Sequence, residues 1–232
     1  MSRFHVPIRD ALVVLLTLTT GAVDATSFLA LGNVFSSVIT GNMVLLGVAA
    51  GAARPALAVH SSVALAGYIA GVAIGAPIAR DEDAHGRTWP PGVTITLVVE
   101  LGVLTAFTIA WELAGAAPHG TLQLALVVVL AVAMGLQAAA VRRLGQMSTT
   151  YLTGTLTGLV AGLVTGSKPD GMQRSLGVLA AIVIGAIAAS VLVKTVPALV
   201  PAMVLLPLGL TIVLSVAGFE WVRDHLKLSR GR

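Results

Sequence analysis

The chain has no cysteine, few charged residues (10%) and few aromatics (4%). Without cysteine there are no disulfides and no thiolate metal sites, and nothing about the compartment follows. A soluble domain carries about 25% charged residues, so this chain has too few to cover a water-facing surface. The net charge is +4. No basic domain is large enough to track phosphates, and aromatics are sparse, so nucleic-acid binding is excluded. There is no histidine cluster, Ser-His-Asp arrangement, Walker loop or metal-ligand spacing. A soluble-enzyme mechanism, a cofactor and a resident metal therefore find no support.

What the chain has is apolar sequence. It is 56% hydrophobic, with a mean hydropathy of +0.95. Only helices and closed barrels satisfy the backbone in lipid. Barrel strands alternate apolar and polar residues, whereas here the apolar runs are continuous and about 20 residues long, the length of a spanning helix. Eight runs lie near 10–31, 36–53, 56–79, 92–114, 121–143, 149–166, 172–193 and 198–219. Arg3 and Arg9 precede the first. It continues to Leu31, longer than a signal-peptide core, and is read as a retained helix. The fold class is an all-α polytopic membrane protein, one integral membrane domain over 1–232.

The chain nearly repeats itself. Gly32 to Gly47 reads GNVFSSVITGNMVLLG, and Gly145 to Val160 reads GQMSTTYLTGTLTGLV. Thr40-Gly41-Asn42 thus falls on Thr153-Gly154-Thr155, and Asp24 on Gln137, about 113 residues further on. A glycine-interrupted apolar segment at matching places in two halves points to a shared central site. Repeat 1 covers about 8–115 and repeat 2 about 119–220, four apolar segments each. With all eight segments crossing and the N-terminus inside, nine Lys and Arg lie inside and five outside. If the second and sixth segments return to the side they entered, only Arg54 and Lys194 lie outside, a split of twelve to two. Positive-inside bias favours six crossings, two re-entrant or broken segments, inverted repeats and cytoplasmic termini. Eight crossings with parallel repeats is the alternative.

Asp24 is the leading candidate for chemistry, since an intramembrane carboxylate is a functional-site hypothesis by default. It can take a proton or bind a cation. It can equally hold backbone freed at the second segment. Gln137, its counterpart, cannot titrate. Thr40, Gly41 and Asn42, with Thr153, Gly154 and Thr155, bring hydroxyl and amide groups beside a glycine. These groups suit a polar solute or cation, or close helix packing. Gly67, Gly71 and Gly75, like Gly154, Gly158, Gly162 and Gly166, form smooth packing faces. Arg142 and Arg143 read as topology anchors, with a gate as the sharper alternative. Glu100, inside the fourth segment, is a second proton-site candidate.

These motifs are similar to those of the YoaK-like family of bacterial membrane proteins. The likeness rests on Gly21 to Phe28 (GAVDATSF), Val34-Phe35 with Ile39 to Asn42, Gly135-Leu136-Gln137 with Ala140 to Gly145, and Thr149 to Thr157. It spans nearly the whole chain. The resemblance implies a helical bacterial inner-membrane protein usually drawn with six spans, and supplies no substrate. The residues themselves suggest a small secondary transporter or channel for a small solute or ion, coupled through Asp24. At 232 residues the chain is small enough for its pathway to need a homodimer. The alternative is a non-transporting scaffold or partner subunit. Beyond the lipid bilayer, no partner can be named from sequence.

Overall fold

Among the described residues, eight α-helices form where the eight apolar runs lie. They are α1 (His5–Ala30), α2 (Ile39–Gly51), α3 (Pro55–Ala79), α4 (Pro91–Leu113), α5 (Gly120–Arg143), α6 (Leu152–Val164), α7 (Met172–Thr195) and α8 (Val200–Arg230). A 3-10 turn, Pro197–Leu199, leads into α8. The computed structural model describes residues 5–80, 89–144, 152–166 and 171–230. The polar stretch 81–88 and the start of the second motif, 145–151, lie outside the described residues. Pro55 and Pro91 each open a helix, where a missing N–H costs nothing.

Six of these helices are long and apolar enough to cross a membrane. The other two, α2 and α6, have 13 residues each. At ~1.5 Å per residue they reach ~20 Å, short of a ~30 Å hydrocarbon core. The chain is therefore a polytopic all-α membrane protein, as its composition requires.

The tightest packing is keyed by glycine. A Cβ on Gly71 of α3 would lie 2.2 Å from the Val132 carbonyl oxygen of α5, and one on Gly135 would lie 2.3 Å from the Tyr68 oxygen. Between α1 and α7 the same thing happens. A Cβ on Gly185 would lie 2.2 Å from the Leu18 oxygen, and one on Gly21 would lie 2.2 Å from the Ile182 oxygen. Only glycine allows backbones this close. The packing role expected of Gly67, Gly71 and Gly75 thus has a partner, α5.

Contacts between helices also give their directions. Gly67, Gly71 and Gly75 meet Val128, Val132 and Leu136 in that order, so α3 and α5 run parallel. Asp10 meets Arg174 at 3.0 Å and Leu18 meets Gly185, so α1 and α7 run parallel. Gln123 donates to the Ala30 oxygen and Gln137 to the Leu16 oxygen, so α1 and α5 run opposite. Thr94 meets Ser215 while the Trp111 indole donates to the Pro197 oxygen, so α4 and α8 run opposite. Consequently α1 and α3 oppose one another, and so do α5 and α7. The segments between them, α2 and α6, return to the side they left. Eight crossings would give the opposite relations.

Candidate functional site

Helix α1 ends where Gly32 and Asn33 take positive φ, 102° and 61°. A Cβ at Gly32 would lie 2.3 Å from His60 Cδ2, so both the conformation and the space demand glycine. The chain then dips back beside α1. Asp24 lies six residues before the end of α1, ~9 Å along the helix, yet it bonds to residues 36 and 37. Its Oδ1 accepts the Ser36 N–H at 2.9 Å and the Ser37 N–H at 2.8 Å. Its Oδ2 accepts the Ser37 hydroxyl at 2.5 Å. Asp24 is buried, 7% exposed, and Ser36 is fully buried.

Irregular backbone at membrane depth needs internal partners, and side chains around this loop supply them. Asn42 is fully buried. Its Oδ1 accepts the Phe35 N–H at 2.9 Å, and its Nδ2 donates to the Phe35 oxygen at 2.5 Å. Ser27 and Ser36 share a hydroxyl hydrogen bond of 2.5 Å. Phe28 stacks on Phe35 with ring centroids 5.2 Å apart. The descending loop and rising α2 together form a broken segment locked to α1.

The structure thus brings Asp24 and Asn42 to one loop, 31–38. Thr40 is exposed and Gly41 half-buried. In the second half Gln137 points elsewhere. Its Nε2 donates to Thr20 Oγ1 at 2.8 Å and to the Leu16 oxygen at 3.2 Å, tying α5 to α1. Thr153 and Gly154 are exposed on α6, and Thr155 is half-buried. A Cβ at Gly154 or Gly158 would meet nothing within 4 Å. Arg142 and Arg143 are exposed on the last turn of α5.

The sequence motifs include Ser27 and Phe35, but no site role was read for them or for Ser36 and Ser37. A pair of serines just ahead of an apolar helical run is a start signal of the kind that hydroxyl residues give. It was the available clue to Ser36 and Ser37.

Six helices long and apolar enough to cross a membrane, with two half-length ones between them in the chain, define the class: a polytopic helical membrane protein with broken segments. The chain belongs to the DUF1275 family, described as proteins of unknown function, whose profile matches residues 12–217. It is 37% identical over 150 residues to "UPF0700 transmembrane protein YoaK" of Bacillus subtilis (strain 168). That alignment covers 63% of this chain and 64% of the relative, so the chain spans less than two thirds of that protein's length. No solved structure matches.

Proposed function

We propose that this protein is a small secondary transporter or channel for a small solute or ion, built from two inverted repeats. One observation carries the reading: the four glycine keys that come closest to a facing helix's carbonyl oxygen correspond across the halves at a constant separation. Gly21 on Ile182 corresponds to Gly135 on Tyr68, and Gly71 on Val132 corresponds to Gly185 on Leu18. The swap is consistent with a two-fold axis relating α1 to α5 and α3 to α7, which run oppositely in each case. Inverted repeats with broken segments are the architecture of many transporters, whose sites lie where the halves meet. The twelve-to-two split of Lys and Arg supports cytoplasmic termini, and the YoaK resemblance supports a bacterial inner membrane.

In this reading Asp24, Thr40, Gly41 and Asn42 form the mouth on one side, and Thr153, Gly154 and Thr155 its counterpart on the other. Gln137 joins the halves. Asp24 acts on the pathway by fixing the broken segment, and coupling through its own titration is the stronger form of the role. No catalysis is assigned. A scaffold or subunit role is the second reading. It is favoured by the open glycine face of α6, which a second copy could cover.

The test is solute and ion flux in proteoliposomes, screened by solid-supported-membrane current, with empty liposomes as control. Transport predicts protein-dependent currents for some small solute. Uniform silence across ions, amino acids and small organic acids, with correctly inserted protein, would leave the scaffold reading.

A further inference from the structure

Glu100 lies two residues from the middle of α4 and is fully buried. Neither carboxyl oxygen has a hydrogen-bond partner. Its buried companions on the same helix stripe are Leu97 and Leu104, and Phe107 continues it. The ties Thr94 to Ser215 and Trp111 to Pro197 hold α4 against α8 on either side of it. Asp24, by contrast, has three donors.

We propose that Glu100 is an exchangeable proton-binding site buried about halfway along α4, deepening the transport reading on which its coupling role rests. The chemistry selects the proton over a metal cation. A hard cation needs several oxygen ligands, and Glu100 is flanked on its own stripe by leucines. Thr96, one turn away, donates its hydroxyl to the Gly92 oxygen. A proton needs a single carboxyl oxygen and leaves the group neutral, which apolar surroundings favour. On exchange the carboxyl O–H bond breaks, its electron pair stays on oxygen and the proton passes to water. Water must therefore reach Glu100 in some state of the cycle. A site dry in one state and wet in another is what coupling requires.

Among the titratable and charged groups on the elements packed against α4, only Tyr68 lies at mid-helix, on α3, and the others lie towards helix ends. Among the described residues those others are Arg54, His60 and Arg80 on or capping α3, and His119, Arg142 and Arg143 on or capping α5. Helix α8 contributes none as far as Ala217. None of them pairs with Glu100.

The experiment is infrared difference spectroscopy of the full-length protein in liposomes. A protonated-carboxyl C=O band should appear on lowering the pH and shift in D2O. It should vanish in Glu100→Gln and persist in Glu112→Gln, whose side chain is exposed. If Glu100→Gln fails to insert, Glu100→Asp should move the band. A band that is absent, insensitive to D2O or unchanged in Glu100→Gln and Glu100→Asp would overturn the proposal. Pyranine-loaded liposomes separate the two readings. A titrating Glu100 band without proton or solute flux would leave the site standing and sink transport.

Discussion

Replacing Asp24 by alanine tests whether one carboxylate holds the broken segment. The substitution removes the acceptor for two buried N–H groups, those of Ser36 and Ser37, and for the Ser37 hydroxyl. The hydroxyl can turn to another acceptor, but the two N–H groups cannot. A buried donor left without a partner costs ~1–3 kcal/mol, so the loss should be ~2–6 kcal/mol. Asp24→Asn is the informative companion. Its Oδ1 can keep both N–H groups and its Nδ2 can donate to Ser37 Oγ. Only the charge-assisted part is lost, ~1–2 kcal/mol. The assay is SDS-titrated unfolding in mixed micelles, alongside maleimide labelling of a cysteine at Val38, which is exposed at the start of α2. The expected order of stability is wild type, then Asn, then Ala, with altered labelling in Ala alone. Alanine as stable as wild type would refute the clamp. Asparagine as damaging as alanine would show that charge, rather than hydrogen-bond geometry, holds the loop. Loss of pH-dependent flux in a stable Asp24→Asn protein would restore Asp24 as a coupling group.

The glycine keys make a second test. Gly71→Ala and Gly185→Ala each drive a methyl into a backbone oxygen 2.2 Å away, and overpacking of this kind should cost ~1–3 kcal/mol in the same unfolding assay. Gly154→Ala and Gly158→Ala meet open space, so monomer stability should not fall, and any effect should appear only as a change in oligomeric state by native mass spectrometry. Asn42→Ala strands the Phe35 N–H and carbonyl, and a loss of ~1–3 kcal/mol is expected from the same unfolding titration. Topology is checked by membrane-impermeant labelling in whole cells: a cysteine at Arg54 should label from outside and one at Arg80 should not. Labelling of position 54 from the cytoplasm would contradict the inverted arrangement.

Sequence by itself determined the class and located the eight described helices, although α1 opens at His5 and α8 runs on to Arg230, beyond the apolar runs 10–31 and 198–219. Lipid forces this legibility: with no water to satisfy the backbone, an apolar run of sufficient length has one local solution, a helix. The shortness of α2 and α6 and the charge distribution pointed to six crossings, because length and Lys/Arg placement act residue by residue. Gly71 could be read as a packing residue from its spacing alone. Its partner, Val132 of α5, could not, because a partner across space leaves no local mark. Asp24 shows the same division. Its depth in α1 made it a candidate, and its three donors became visible only once the loop after Gly32 folded back beside it. The offset that aligns the T-G motifs paired Gln137 with Asp24, yet folding gave it a different task. It ties α5 to α1 because those helices run past each other. Glu100 was legible as a buried acid. That neither oxygen has a partner is a property of the neighbours α4 acquires, and only the tertiary structure decides those.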